Sequence, residues 1–532
     1  MASATDHILI LRLARRLWPW AIFAAILAFY LLLPTKNYFW DGVDFAQTIE
    51  DAPALDSSLI HPNHLFYNPF GYLIYKALRA TGAGFRALAA LQMANAVLGV
   101  LTAYLLFRIL RRVLRSEYFG YVLTLLFALS ATWWKFSTDA DSYIPSVLFL
   151  LIAFSFLLPG KEPRPVLAAL AHSVAMMFHQ MAIFFFPVVL AGIFLQTRGP
   201  VARRRILPLL QYGASGFLIT VATFYYSFYR QTGRSDLHTF LKWVASFSPE
   251  PGHTFSVWGN FVYTAQGHVK LFASGRLLYL KDSLDALTLL LLAALLGLVL
   301  VFLFKLARNR ARVKSFLAAM MTPDERFTGL RLLCFIWIAS FLVFQYFFIP
   351  QHTYYRLFYL PALILLLGTY LVQADAGQPR PRTYIAAFLV AAIAVSNLVF
   401  YIRPLSQVEN YPPLAMALSL NRAWPEGTIV YFASRNSDNS LVRYFNPAAR
   451  WQEVNQETMQ AELPVLQQAG GNAWLETSLI ELYQATPDGR QWLETHTLKD
   501  PQYELVNDKY RLRFYRLNPA SFAPPAASTG GR

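Results

Sequence analysis

The sequence has little charge and a single cysteine. Charged residues make up 14% of its 532 positions, against about 25% in an ordinary globular domain. Hydrophobic residues make up 56%. This balance excludes an ordinary soluble domain and indicates an integral membrane protein. Because Cys334 is the only cysteine, the chain cannot form an internal disulfide.

Acidic residues are fewer than basic ones, 30 against 46, and the net charge is +16. The basic residues do not gather in one soluble region, as a nucleic-acid surface would require. They form short clusters between apolar runs, near residues 12–16, 108–115, 203–205 and 305–314. This pattern follows the positive-inside rule. It predicts that these clusters are cytoplasmic, and it argues against nucleic acid as a partner.

Apolar runs recur as far as residue 402. Since a spanning helix needs about 20 mostly apolar residues, we predict about 11 spans: 15–34, 86–108, 118–133, 143–159, 165–181, 182–197, 206–229, 284–305, 331–349, 357–373 and 383–402. The short runs at 118–133 and around Met181 suggest a tight or re-entrant turn. No small-residue cleavage site precedes Pro34, so we expect an uncleaved first helix with a cytoplasmic N-terminus. Alternation then places residues 35–85, 133–142, 230–283, 350–356 and those after 403 outside.

The composition becomes more polar after residue 405. Strands are predicted at 428–432, 472–476, 502–506 and 510–516, and helices at 456–468 and 480–494. Residues 406–517 should form a small α/β domain with a largely parallel sheet, and no glycine-rich nucleotide loop is seen there. Residues 518–532, rich in Pro, Ala, Ser and Gly, are predicted to be disordered. The predicted fold is mainly α: a polytopic transmembrane helical bundle, 1–405, with a C-terminal extracytoplasmic α/β domain.

Two acidic residues follow the first predicted span. Asp41 and Asp44 are three positions apart, so a helix starting there would carry both on one face. A carboxylate at the membrane edge can take a proton from an acceptor hydroxyl. The alternative is that Asp41 caps a helix and Asp44 is a solvated loop acid.

His61 and His64 precede an apolar and aromatic run, 66–78, that predicts an interfacial helix. A His-x-x-His pair is a weak metal signal, because zinc sites use three or four ligands. We therefore expect these histidines to donate to a phosphate or to orient the loop.

The next outward turn carries Lys135, Asp139 and Asp141 among aromatic residues, just before Tyr143. Charges at the mouth of a span are costly unless hydrated or paired, so this turn is either a substrate-binding segment or a solvated turn with tryptophan anchors. His179, between two short spans, is either a substrate contact or an imidazole bonded to the backbone.

A single arginine, Arg356, lies at the last predicted outward edge, next to Tyr355. The planar guanidinium can bind two oxygens of a lipid phosphate at once. The alternative is an arginine that only anchors its span at the interface.

Taken in order, these residues resemble those of the GT-C superfamily of membrane glycosyltransferases, and in particular its protein O-mannosyltransferase-like branch, which is related in arrangement to bacterial aminoarabinose and mannosyl transferases. The matching features are Asp41 and Asp44, His61-Pro62 with Asn68–Tyr75, Asp141-Ser142-Tyr143, His179, and Arg356 with Leu360-Pro361. The resemblance covers roughly residues 15–402. The spacing Asp-x-x-Asp departs from the commoner Asp-Glu or Asp-x-x-Glu, so either aspartate could be the base.

The resemblance implies an enzyme of the bacterial inner (plasma) membrane. It would move a hexosyl or pentosyl group from a polyprenyl-phosphate donor to an extracytoplasmic glycan, lipid or protein acceptor by an inverting single displacement. Asp41 would be the base, and Asp44 and Asp141 would position the acceptor or bind a divalent cation, Mg²⁺ or Mn²⁺, which only some branches require. The expected substrate-binding residues are His61, His64, Lys135, Asp139, Asp141, Tyr143, His179, Tyr355 and Arg356.

Two other classes stay open. A transporter or flippase of a lipid-linked precursor would place ionisable residues near the bilayer centre on broken helices, whereas here they cluster at one face. A non-catalytic scaffold, whose outer domain recruits a partner, would make the aspartates replaceable.

Overall fold

The computed structural model describes residues 4–158, 162–197, 202–246, 255–276, 285–308, 318, 324–375, 383–434, 437–461, 472–506, 510–518 and 521. The chain forms two compact units, Met1–Thr35 with Phe45–Ser406 and Lys36–Asp44 with Gln407–Arg532. The predicted connection at 507–509, the end of the predicted helix 456–468 and nearly all of the predicted disordered tail lie outside the described residues.

The first unit is helical, with a helix at every predicted span. Its helices are α1 (Ala4–Leu32), α2 (Trp40–Asp51, which begins in the second unit), α3 (Tyr67–Arg79), α4 (Ala87–Leu114), α5 (Glu117–Ala128), α6 (Ala131–Ser137), α7 (Tyr143–Ser155), α8 (Pro165–Phe178), α9 (Phe186–Gln196), α10 (Ala202–Thr232), α11 (Leu237–Val244), α12 (Val257–Phe272), α13 (Ala286–Arg308), α14 (Thr328–Phe348), α15 (Leu360–Asp375) and α16 (Thr383–Asn397). Single 3₁₀ segments cover Gln180–Phe185 and Tyr354–Phe358, and a π-helical turn covers Leu398–Ile402.

Five of the described helices are long and apolar enough to cross a membrane: Ala87–Leu114, Ile206–Thr232, Ala286–Lys305, Glu325–Phe348 and Ala386–Leu405. The bent pair α5 and α6 makes a sixth if it is counted as one span. Shorter apolar helices occupy the other predicted positions, at Trp18–Leu32, Tyr143–Ser155, Pro165–Phe178, Gln180–Gln196 and Leu360–Gln373. A mainly helical integral membrane protein is confirmed, while the count of about 11 spans stays a prediction.

The predicted span 118–133 is broken, and its second part forms α6. The chain bends by 67° between α5 and α6. Extended backbone at Ser130 interrupts the helix, and the Ser130 hydroxyl donates to the carbonyl of Phe127 at 2.8 Å. Every residue of α6 is buried. The segment expected to be an outward turn therefore begins as a buried helix.

A second break separates α8 from the 3₁₀ segment at Gln180–Phe185. His179 has extended backbone there. His172, six residues before the end of α8, bridges the break, because its Nε2 lies 2.8 Å from the carbonyl of Ala182 and its Nδ1 lies 2.7 Å from the hydroxyl of Tyr212. Both nitrogens of this imidazole are therefore used in holding α8, α10 and the 3₁₀ segment together.

The second unit contains a five-stranded sheet in the order β2-β1-β3-β5-β4. Its strands are β1 (Ile429–Phe432), β2 (Arg450–Glu453), β3 (Ala473–Glu476), β4 (Tyr503–Val506) and β5 (Arg511–Arg516), and its helices are α17 (Pro412–Ala423), α18 (Ser437–Phe445), α19 (Gln456–Ala461), α20 (Thr477–Gln484) and α21 (Pro487–His496). β1 pairs in parallel with β2 and β3, whereas β5 pairs antiparallel with β3 and β4. The sheet is thus mixed rather than largely parallel.

Candidate active site

Aromatic rings from four separate segments of the first unit meet in one group. The ring centre of His64 lies 5.0 Å from that of His61 and 4.7 Å from that of His179. Tyr143 stacks on His179 at 4.8 Å, and Tyr355 lies 6.0 Å from Tyr143. We call these five residues the imidazole–phenol cluster. All five were predicted as substrate-binding residues, and the fold brings them together.

The cluster forms because loops converge on the start of α7 and the break after α8. Phe45 of α2 packs edge-on against His64, with ring centres 5.2 Å apart, and lies 5.9 Å from His61. Phe358, after the 350–356 loop, lies 5.2 Å from His179. His61 and Tyr355 are partly exposed, whereas His64 is buried. The cluster therefore has buried walls and an accessible side.

His64 is held as one defined tautomer. Its Nδ1 lies 3.2 Å from the carbonyl oxygen of Phe178 and 2.8 Å from the hydroxyl of Ser142. A carbonyl only accepts hydrogen bonds, so Nδ1 carries the proton and Nε2 carries the lone pair. Burial, followed by the neighbouring imidazoles of His179 and His61, holds the pKa of His64 well below its ordinary value of 6.5. The ring is therefore neutral at pH 7.

His179 is held in the opposite tautomer. The backbone N–H of Met181 donates to Nδ1 of His179 at 3.1 Å. An accepting Nδ1 carries no proton, so the ring is neutral and its proton is on Nε2. The expected alternatives for His179, a substrate contact or a bond to the backbone, are thus not exclusive. Nδ1 makes the backbone bond, and Nε2 is left for another partner.

Two amide side chains on the apolar helix α4 fix the turn before Tyr143. The Asn95 amide donates to the carbonyls of Asp139 at 2.8 Å and Asp141 at 2.7 Å, and the Gln92 amide donates to the carbonyl of Thr138 at 2.8 Å. Sequence reasoning missed both amides. The available signal was two amides three positions apart on a span, since such groups bond to neighbouring segments inside a membrane.

Lys135 and Asp139, both predicted to bind substrate, form a buried ion pair with each other. The ammonium also lies 4.3 Å from the ring centre of Phe136. Asp141 is fully buried, and its Oδ1 accepts from the backbone N–H of Ser142 at 2.6 Å. Removing one member of a buried pair leaves an uncompensated charge. Lys135 and Asp139 therefore have at least a structural role, since each offsets the buried charge of the other.

Arg356 is fully buried in the 3₁₀ segment Tyr354–Phe358. Its guanidinium donates to the carbonyls of His352 at 2.7 Å, Pro350 at 2.8 Å and Thr264 at 3.3 Å. Its Nε has no hydrogen-bond partner, and no carboxylate within the described ranges pairs with it. The guanidinium thus fastens the 350–356 loop to α12, and its positive charge is not neutralised by an acid.

A glycine makes room for this guanidinium. A Cβ added to Gly267 of α12 would lie well under 3.0 Å from Cζ and both Nη atoms of Arg356. Because glycine inside a helix costs about 1 kcal/mol relative to alanine, its presence here has a packing reason. Sequence inspection gave no signal for this contact.

Asp41 and Asp44 lie on the first turns of α2, in the segment that belongs to the second unit. Burial, and then the charge of Asp44, raise the pKa of Asp41 to about 8. A raised carboxyl pKa is typical of general bases.

No three His, Cys, Asp or Glu side chains within the described parts of the chain come together as a metal site. The donor set therefore does not fit a preassembled ion site, and we derive no step through a metal. A divalent cation on Asp41, Asp44 and Asp141 stays a prediction.

The buried neutral state of His64 predicts acid destabilisation. As the pH falls below about 6.5, the unfolded chain takes up a proton at this imidazole and the folded chain does not, so the folded state loses stability. We expect the unfolding temperature in detergent to fall between pH 7.5 and 4.5, and to fall less steeply in His64→Asn. The exposed His238→Asn is the control, and equal slopes in both variants would contradict the assignment.

The fold of this chain is similar to that of solved structures. It matches ArnT from Cupriavidus metallidurans bound to undecaprenyl phosphate over 98% of this chain and 100% of that one, with a TM-score of 0.57 and 15% identity. The apo state of the same protein matches over 96% and 100%, with a TM-score of 0.58 and 15% identity. No family model and no curated protein sequence matches the chain. Since ArnT is a GT-C glycosyltransferase, the chain has the GT-C fold.

Proposed function

We propose that this protein is a membrane glycosyltransferase that moves a sugar from a polyprenyl-phosphate donor to an acceptor. The observation that carries the proposal is the imidazole–phenol cluster. Its polar groups are assembled by loops between apolar helices, in a chain that has the fold of an undecaprenyl-phosphate-binding protein. Such a site can hold a polar headgroup while its lipid chain stays in the membrane.

Arg356 supplies positive charge for the lipid phosphate in this proposal. Its guanidinium is buried without an acidic partner among the described residues, and a charge in a low-dielectric setting acts over a longer distance than one in water. The leaving phosphate gains charge as the bond to the sugar breaks, so fixed positive charge nearby lowers the barrier. The adjacent Tyr355 is proposed to donate its hydroxyl to the phosphate.

Asp41 is proposed as the base that takes the proton from the acceptor hydroxyl. The hydroxyl oxygen attacks the anomeric carbon, the bond from that carbon to the phosphate oxygen breaks, and the lipid phosphate leaves with the electron pair. Asp44 and Asp141 are proposed to position the acceptor. The single displacement would invert the anomeric configuration.

The finer assignments belong to the same proposal. Positive charges near residues 12–16 and 108–115 support a cytoplasmic N-terminus and an extracytoplasmic site, in a bacterial inner membrane. The acceptor would be a glycan, lipid or protein on that side, and the transferred group a hexose or pentose. Placement in the O-mannosyltransferase-like branch rests on the sequence motifs alone.

A transfer assay tests the proposal. The purified full-length protein in nanodiscs is given a panel of radiolabelled undecaprenyl-phosphate hexoses and pentoses, with membrane lipid extract, glycans and peptides as acceptors. We expect label to move from at least one donor to one acceptor class, with release of undecaprenyl phosphate. Movement of intact donor across proteoliposome membranes without transfer would identify a flippase. If neither sugar transfer nor donor movement is detected, the scaffold alternative remains.

A further inference from the structure

We propose that His64 and His179 form a hydrogen-bonding pair that recognises hydroxyl groups of the transferred sugar, His179 donating through Nε2–H and His64 accepting at Nε2. This inference rests on the proposed function, and it identifies the sugar as the part of the donor that these two residues recognise.

The first support is that the two rings are fixed in opposite tautomers by the protein itself. The Phe178 carbonyl requires the proton of His64 on Nδ1, and the Met181 N–H requires the lone pair of His179 on Nδ1. Both assignments follow from backbone groups that cannot change roles. The pair therefore presents one acceptor and one donor before any ligand arrives.

The second support is that both Nε2 atoms are left over. Neither has a hydrogen-bond partner among the described residues, and neither is closed off from solvent, although His64 is only 5% exposed and His179 only 6%. Because both nitrogens are open and the ring centres lie only 4.7 Å apart, one polar ligand can contact both.

Two other histidines of the first unit, the buried His172 and the partly buried His268, show the hydrogen bonding of a purely structural imidazole. His172 uses both ring nitrogens within the protein, on Tyr212 and Ala182. His268 likewise contacts the carbonyl of Thr264 at 2.8 Å and the hydroxyl of Tyr359 at 3.1 Å. His64 and His179 differ from these two because each uses only its Nδ1 in hydrogen bonds within the protein.

The surroundings favour a neutral hydroxyl over a phosphate. The walls are rings: Phe45 beside His64, and Tyr143 and Phe358 beside His179. Lys135, the cation of the 133–142 segment, is already paired with an acid. A phosphodiester has no proton to give to the lone pair of His64, whereas a sugar hydroxyl both donates and accepts.

Binding measurements test this without requiring turnover. The probes are undecaprenyl phosphate and the same panel of undecaprenyl-phosphate hexoses and pentoses, and the readout is affinity for the protein in nanodiscs. We expect the wild type to bind at least one glycosylated lipid more tightly than undecaprenyl phosphate. His64→Asn and His179→Asn keep an amide where Nδ1 was and remove Nε2. Each should reduce the preference about fivefold to tenfold and leave the affinity for undecaprenyl phosphate unchanged.

Two further variants keep the result interpretable. His179→Gln returns an N–H donor near the former Nε2 and should restore part of the preference. His172→Asn removes a histidine that serves only the fold, and should lower the unfolding temperature without changing the preference. Three outcomes would each overturn the inference. The Asn variants could lose affinity equally for sugar-bearing and sugar-free lipids, both could keep the wild-type preference for the glycosylated lipid, or the wild type could show no such preference. Sugar transfer with any of these outcomes would leave the proposed function standing.

Discussion

Replacing Asp41 with asparagine is expected to lower turnover by about 10²- to 10⁴-fold, the contribution typical of a positioned general base. Asparagine has nearly the same size as aspartate but cannot accept the acceptor's proton. Binding of the donor does not need this carboxylate, so the affinity of the enzyme for the donor should change little. Single-turnover transfer of the labelled sugar, together with equilibrium donor binding, separates the two effects.

Helix α2 offers a matched control. Asp51 is an exposed carboxylate on the same helix and accepts from the Gln47 amide at 3.0 Å, so Asp51→Asn should leave turnover unchanged. If Asp41→Asn kept wild-type turnover and Asp44→Asn abolished it, the base would be Asp44. If both variants kept full turnover, neither would act as the base.

The pH profile gives a second readout of the same prediction. Burial and the charge of Asp44 raise the pKa of Asp41 to about 8, and a base acts only when deprotonated, so turnover should rise with pH up to about 8. Asp44→Asn removes a like charge that disfavours ionisation. Turnover of Asp44→Asn should therefore begin to rise at a lower pH than turnover of the wild type. The same pH dependence in both proteins would show that the charge of Asp44 does not affect ionisation of Asp41.

Structural elements that depend on the local sequence pattern could be predicted, whereas those that depend on packing between distant segments could not. Strand β1 lies at 429–432 within the predicted 428–432, because Ile429 and Tyr431 pack on one face of the sheet and Val430 on the other, which gives a continuous apolar run. Strand β2, Arg450–Glu453, is an edge strand with exposed ends. It therefore has no apolar run and was missed.

The candidate site shows the same division. His61, His64, Tyr143 and His179 were identifiable because imidazoles and phenols stand out in the predicted outward loops and at the ends of the predicted spans of an apolar chain. The groups that orient them carry no such signal. Asn95 is one of two amides in an apolar span, and only the fold places it beside the carbonyls of residues 139 and 141.

The role of Arg356 was also undecidable from the sequence, since an arginine beside tyrosines suits a phosphate contact and an interfacial anchor equally well. The structure shows its guanidinium bonded to three carbonyls. This arrangement predicts that a small change far along the chain, at Gly267, disables the site.

Gly267→Ala is expected to reduce turnover by about 10²-fold or more. The added methyl would occupy the space of the Arg356 guanidinium, and overpacking of this kind typically costs about 1–3 kcal/mol. The guanidinium would have to leave the carbonyls of residues 350 and 352, and Tyr355 would move with the loop. A shift of about 1 Å in a positioned group is enough to lower a rate about 10²-fold.

A double-mutant cycle distinguishes this clash from a general defect in α12. In an Arg356→Ala background the guanidinium is absent, so adding Gly267→Ala should cause little further loss of turnover, whereas independent effects would multiply. Gly213→Ala and Gly297→Ala are controls, because an added Cβ at either position meets open space and alanine favours the helix. If the two losses multiplied, Gly267 would act on the site by a route other than Arg356, and the loop 350–356 would not depend on α12 for its position.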